Sequence, residues 1–229
     1  MNFSLKFYEI KRHNIKYYHL ISERMRMKGG LKKMSSKKGM STRKLTVTGM
    51  MIAITMILSY TPLGIIPLQP VSATIVHIPT IIIALLEGPL VGGIVGAAFG
   101  ISSMIKAITQ PSGILDPCFM NPIVSVLPRI CIGVVAGYSY KGLMSVIKNN
   151  TISSVIASAL GSLTNTLGAM GLIYFIYVED MTERLGTAAG PVIWGIITTY
   201  GVVEMLAAVV ICTSVVLALQ KAVYRNKIA

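Results

Sequence analysis

Apolar positions in this chain neither alternate nor keep to one helical face; they run on without interruption. Stretches free of Asp, Glu, Lys and Arg cover 45–86, 88–105, 149–178, 185–203 and 205–220. A helix needs about 20 consecutive apolar residues to cross the hydrocarbon of a bilayer. Runs of this kind therefore mark membrane spans rather than the one-sided helices of a soluble domain. Prolines, glycines and the few charges divide them into six predicted helices, at about 45–60, 72–86, 90–109, 121–144, 152–177 and 189–220. The first stops where Thr61 meets Pro62, because the proline disfavours helix in the residue before it. Segment 62–71 holds Pro62, Pro67 and Pro70 and is predicted to be a charge-free loop folded over the membrane face. Segment 110–119, with Pro111, Gly113 and Pro117, is predicted to be another loop. The pattern predicts an all-α membrane protein with six transmembrane helices.

Two details sharpen this. Glu87 is the single charge between Ala73 and Ser103 and lies in a Glu-Gly-Pro turn, so spans two and three form a hairpin. Gly92, Gly96 and Gly100 then recur every fourth residue, a stripe that lets a neighbouring helix backbone come close where lipid supplies no hydrophobic drive.

Charge adds the orientation. Residues 1–44 hold thirteen Lys and Arg against Glu9 and Glu23, a net of +11 out of the chain's +13. This basic run directly precedes the first apolar span, so it reads as a topogenic, lipid-facing segment rather than a nucleic-acid arm. Lys141, Lys148, Lys221, Arg225 and Lys227 fall on the same side when spans are counted from a cytoplasmic N-terminus. Asp116, Glu179, Asp180, Glu183 and the lone Arg184 fall on the other. The positive-inside bias therefore predicts that both termini are cytoplasmic. The expected division is a basic cytoplasmic tail over 1–44, disordered or an over-extended start, a six-helix membrane domain over 45–220, and a cytoplasmic tail over 221–229. A cleaved signal peptide ending near Ala73 would need an n-region of more than forty residues and would remove a span.

Candidate chemistry is sparse. No phosphate-cradling glycine loop, His-Glu-x-x-His, Gly-x-Ser-x-Gly or spaced carboxylate pair is present, so no enzyme activity, cofactor or metal is expected. Cys118, Cys131 and Cys212 have no metal spacing and read as small hydrophobes. The informative residues are polar groups within the spans. Arg129 follows Pro128 and lies about 10 Å below the outer boundary at 1.5 Å per residue. A lone Arg at such depth costs about 2.5–3.5 kcal/mol, so it faces either an internal partner, for which Glu204 is the candidate, or an anionic ligand. His77 is either a packed helix histidine or a donor near the outer mouth. Asn165, within Ser162-Leu163-Thr164-Asn165-Thr166, cannot satisfy itself as cheaply as Ser and Thr do, and so is the better candidate for ligand contact. Trp194 reads as an interfacial anchor. Gly49 and Ala53 form a small-xxx-small pair, either for packing within the chain or for docking another membrane subunit.

Segment 45–220 resembles an S component of an energy-coupling factor (ECF) transporter. The resemblance rests on six short helices, the basic start, the small pair in the first helix, and four passages. These are Ala73-Thr-Ile-Val-His-Ile-Pro79, Leu86-Glu-Gly-Pro-Leu-Val-Gly92, Leu127-Pro-Arg-Ile-Cys-Ile-Gly133 and Gly161-Ser-Leu-Thr-Asn-Thr166. Together they are most similar to the subgroup associated with pantothenate uptake, although related S components bind quite different vitamins. The resemblance implies an S-component bundle that captures a small water-soluble vitamin on the outer side. It implies delivery inward with a membrane coupling subunit and two cytoplasmic ATPases, with Gly49 and Ala53 facing the coupling subunit. The family's usual pair is Ala-x-x-x-Ala; glycine in the first place still permits close approach. Pantothenate is a small anion with two hydroxyls and an amide. Arg129 would suit its carboxylate, and Asn165, Thr164, Asn121 and His77 its neutral groups. The competing reading is a self-sufficient secondary transporter coupled through Glu204, against which no inverted repeat is visible. A scaffold without ligand is a third.

Overall fold

The glycine stripe builds the centre of the molecule. In the structure, a computed structural model describing residues 40–66, 73–111, 115–185 and 188–225, Gly92, Gly96 and Gly100 of one helix lie against the backbone of another that carries Gly133 and Gly137. A Cβ on Gly133 would stand 2.1 Å from the carbonyl carbon of Gly92, and one on Gly137 would stand 2.6 Å from Cα of Pro89. The two backbones meet with no side chain between them, the small-residue contact that membrane helices use in place of hydrophobic burial.

The chain divides into two units, Met1–Thr42 and Arg43–Ala229, and the second holds the helical bundle. Its elements are α1 (Thr42–Tyr60), a 3-10 turn (Pro62–Gly64), the antiparallel pair β1 (Ile65–Ile66) and β2 (Ala73–Thr74), α2 (Ile78–Glu87), α3 (Pro89–Thr109), α4 (Asp116–Phe119), α5 (Pro122–Ser125), α6 (Leu127–Val146), α7 (Asn150–Leu185) and α8 (Ala189–Arg225). In the β pair Ile65 faces Thr74 and Ile66 faces Ala73. Helix α6 lies between α3 and α7, α8 runs along α7, and α2 touches α3, α6, α7 and α8 from the middle. Pro89–Thr109, Pro122–Val146, Asn150–Glu183 and Gly190–Ala222 are long and apolar enough to cross a membrane. Most of the basic tail (1–39), Pro67 and Pro70 lie outside the described residues, as does the end of the C-terminal tail.

Several expected boundaries shift, each for a physical reason. The second span was expected over 72–86, but helix α2 begins only at Ile78. Pro79 sits in its first turn, where the missing N–H costs nothing, so the proline starts this helix instead of interrupting one. Ten residues rise about 15 Å, half a hydrocarbon core of about 30 Å. From Ile78 to Leu85 every residue of α2 is buried. The turn leading into it, at Val76 and His77, is also enclosed by protein, which is the condition under which irregular backbone survives at membrane depth. Segment 110–119 is not wholly loop, since Asp116–Phe119 forms one helical turn. Helix α7 does not end at Tyr177. It breaks there (φ −124°, ψ 15°) and resumes to Leu185, so the acidic stretch read as a loop is mostly helix. Helix α8 continues to Arg225.

Helix α1 is fastened at both ends. Glu87, closing α2, receives Lys44 at 3.3 Å and Arg43 at 4.0 Å. At the other end Lys106 donates to the Ser59 carbonyl (2.9 Å), and the Ser59 and Ser102 hydroxyls lie 3.2 Å apart. Met51 and Leu58 pack on the core between these ties. Gly49 and Ala53 face the other way, exposed beside Leu45, Met50, Ile54 and Ile57. A Cβ on Gly49 would meet nothing within 4 Å. Among the described residues, the small pair therefore takes no part in the packing.

Candidate functional site

Close approach of α3 to α6 places Arg129. A Cβ on Gly96 would stand 2.1 Å from the Arg129 carbonyl oxygen, so α3 supports the backbone of the residue that carries the buried charge. Arg129 is 7% exposed. One Nη donates to the Val124 carbonyl at 3.0 Å, which helps close the α5–α6 junction. Its guanidinium carbon lies 4.8 Å from the centre of the Phe119 ring and 5.6 Å from that of Phe99. Aromatic faces at this range attract a cation by about 1 kcal/mol or more when water is excluded. The Nε–H has no partner. A cation is thus held on its flanks and left with donor capacity.

The bundle holds other buried groups with open valences. His77, at the entry to α2, has no solvent exposure, and neither ring nitrogen has a partner. Asn165 on α7 is 6% exposed with its Oδ1 unpartnered. Thr80 on α2 and Ser162 on α7 are buried with free hydroxyls. His77 and Glu204 both lie within charge–charge range of Arg129. A buried polar group without a partner costs about 1–3 kcal/mol, and native proteins keep few of them. Unmatched donors and acceptors of this kind are what a polar ligand would satisfy.

Glu204 is the carboxylate that the sequence offers as an internal partner for Arg129. It makes no ion pair with Arg129. One carboxylate oxygen accepts the Thr74 backbone N–H at 2.7 Å and the Thr74 hydroxyl at 3.2 Å, and the other accepts the Thr166 hydroxyl at 3.2 Å. Thr74 and Thr166 were not singled out beforehand, although both lie in the passages that carried the family resemblance. Phe119 had no signal at all, since it sits in a segment whose prolines read as loop.

Of the five expected ligand residues, the structure gathers His77 and Arg129 and puts Asn165 beside Thr166 on the Glu204 side. Asn121 is used otherwise. It caps α5 by accepting from the Ile123 N–H (3.0 Å) and donates to the Tyr177 hydroxyl (3.1 Å), tying α5 to the break in α7. Thr164 is half-buried and donates to the Leu160 carbonyl one turn back (2.7 Å), so its hydroxyl is satisfied by its own helix.

A bundle built on a glycine stripe, with a buried cation and unmatched polar side chains inside it, is a membrane protein that carries more polar groups than its own packing uses. Residues 43–216 match the family described as "ECF transporter, substrate-specific component", and the chain belongs to that family. It is a multi-pass protein of the cell membrane. The chain is similar to the "Pantothenic acid transporter PanT" of Lactococcus lactis subsp. cremoris, with 28% identity over 166 residues, 67% of this chain and 80% of that protein. It is also similar to the "Pantothenate transporter PanT" of Leuconostoc mesenteroides subsp. mesenteroides, with 26% identity over 189 residues, 76% of this chain and 90% of that protein.

Proposed function

We propose that this chain captures pantothenate on the outer side of the membrane and delivers it inward with a membrane coupling subunit and two cytoplasmic ATPases. The observation that carries the reading is Arg129: a buried cation that makes no salt bridge among the described residues and keeps an unpartnered Nε–H, in a bundle where both His77 ring nitrogens and the Asn165 Oδ1 are also unmatched. Pantothenate offers one carboxylate, two hydroxyls and an amide. Its carboxylate meets Arg129, and its neutral groups meet the His77 ring and the Asn165 amide. The printed names of the two relatives support the same vitamin. Calorimetric titration of the purified full chain against a panel of water-soluble vitamins tests it. Saturable heat with pantothenate is expected; heat with another vitamin alone would reassign the substrate, and none with any would remove the capture role.

In this reading six helices cross the membrane, with α2 completing its crossing through the enclosed segment before it, and both termini are cytoplasmic. The Lys and Arg asymmetry supports the orientation. A cysteine at Glu183 should react with an impermeant maleimide on intact cells, and one at Lys148 should react only after lysis. The reverse pattern would invert the orientation.

The exposed face of α1 supports a partner helix. Gly49 and Ala53 leave this face open to close approach, and among the described residues nothing lies within 4 Å of a Cβ on Gly49. Because this face is exposed among the described residues, Ala53→Trp is expected to leave pantothenate affinity within about twofold. Uptake and co-purification with the coupling subunit are expected to fall at least tenfold, as overpacking a close helix contact costs about 1–3 kcal/mol. Undiminished ATP-independent uptake by the lone variant in liposomes would point to a secondary carrier instead.

A further inference from the structure

Glu204 is a buried carboxylate that the proposed capture site does not use, and its hydrogen bonds reach in two directions. Toward one side it holds Thr74, the last residue of β2, by both backbone N–H and hydroxyl. Three residues further along stands His77, whose ring has no hydrogen bond and whose place is set by its backbone and packing. Toward the other side Glu204 holds the hydroxyl of Thr166, the neighbour of Asn165. The contact to Thr74 joins residues 130 apart in sequence, and that to Thr166 joins α8 to α7.

Packing makes this bridge matter. Gly201, one turn before Glu204, sits against Thr166: a Cβ there would lie 3.0 Å from its Cγ2. The Thr166 side chain is thereby gripped between Gly201 and Glu204. On the other side β2 is only two residues long, and its register partner β1 is as short. Two-residue strands are too weak to fix a segment alone. The two hydrogen bonds from Thr74 to one oxygen of Glu204 supply the anchor that the strands lack.

We infer that Glu204 is a positioning residue that sets His77 through Thr74 and Asn165 through Thr166, so that one carboxylate holds the two neutral arms of the substrate site in register. The inference rests on the proposed capture role and assigns Glu204 neither to the substrate nor to a proton pathway. Because it acts by hydrogen bonding, glutamine should serve nearly as well as glutamate. The amide oxygen accepts from Thr74 as before, and the amide N–H₂ donates to the Thr166 hydroxyl, which then donates elsewhere. Alanine supplies neither.

The test is a mutant cycle on the full chain in nanodiscs, read by pantothenate affinity and by hydrogen exchange without ligand. Glu204→Ala is expected to weaken binding about tenfold or more, the equivalent of a lost hydrogen bond to a charged group. Glu204→Gln is expected to stay within about threefold of the parent, since it keeps the geometry. In a His77→Ala background, Glu204→Ala should cost much less than it does alone, because residues acting through one another are not additive. Amides of 73–77 should exchange faster in Glu204→Ala while those of α3 and α6 stay protected. If Glu204→Ala fails to accumulate, Thr74→Val and Thr166→Val each remove one hydroxyl contact and should each weaken binding several-fold. Equal losses for Gln and Ala would overturn the proposal by making Glu204 a charge partner of Arg129. Full additivity with His77→Ala, or unchanged exchange at 73–77, would overturn it as well. The exchange measurement needs no ligand, so it decides the positioning role even if the parent protein binds a different vitamin.

Discussion

Replacing Arg129 by glutamine is expected to weaken pantothenate binding about a hundredfold or more while leaving the bundle folded. Truncating one partner of a desolvated charge pair costs about 2–5 kcal/mol, much of it from the charge left unpaired. At about 1.4 kcal/mol per tenfold, the middle of that range exceeds a hundredfold. The fold should survive because no salt bridge joins Arg129 to Glu204, whose carboxylate is hydrogen-bonded to Thr74 and Thr166. The losses within the chain are one hydrogen bond to Val124 and the contacts with Phe99 and Phe119. An isolated arginine at membrane depth itself costs about 2.5–3.5 kcal/mol, so its removal returns comparable stability. Without ligand, the thermal midpoint should therefore match or exceed that of the parent, and the stabilisation by added pantothenate should vanish.

Lysine at the same place separates charge from shape. It keeps a cation but loses the planar fork and the stacking on two rings, so it should recover only part of the affinity. The opposing result is equally definite. If Arg129→Gln unfolds the protein and adding Glu204→Gln restores it, with vitamin binding unimpaired, then the two groups form an internal pair in the membrane and the cation does not serve the substrate.

How much of this was legible in the sequence depends on whether the cause was local. Charge-free runs announced the helices, and the glycine stripe announced a close helix contact on α3 without naming α6 as the partner, because both signals are local to the sequence. The start of α2 was not legible. Pro79 reads alike as a kink inside a span or as the opening turn of a helix, and only the pairing of β2 with β1 decides. The continuation of α7 past Tyr177 was hidden by its acidic residues, which suit a loop and an exposed helix equally. Arg129 stood out because its burial is costly wherever it occurs. Its surroundings did not stand out. Phe119 is brought to it by a single turn of helix in a proline-rich segment, and Thr74 reaches Glu204 from 130 residues away. The partners of a buried charge are a property of the packing, so they appear only with the fold.

Gly96 ties that packing to the site, and changing it should be among the most damaging substitutions in the chain. A methyl group there would sit 2.1 Å from the carbonyl oxygen of Arg129, 2.8 Å from its carbonyl carbon and 3.2 Å from Cα of Ile130. None of these is the yielding end of a side chain, so α3 and α6 must part by about 1 Å to reach ordinary contact distances. Overpacking of this kind costs about 1–3 kcal/mol. It also moves the backbone that carries the cation, and binding groups must be held to within about 0.5 Å to keep their geometry. Gly96→Ala is therefore expected to lower the thermal midpoint by several degrees and to weaken pantothenate binding at least tenfold, whereas Gly96→Leu should fail to accumulate in the membrane. Gly93→Ala supplies the control: three residues earlier on α3, its new methyl would rest 3.5 Å from the end of the Val134 side chain, an ordinary contact. Both changes convert glycine to alanine in one helix, so intrinsic helix preference cancels between them and the difference reports the α3–α6 contact alone. Equal stability and equal affinity for the two variants would show that Arg129 does not depend on this contact for its position.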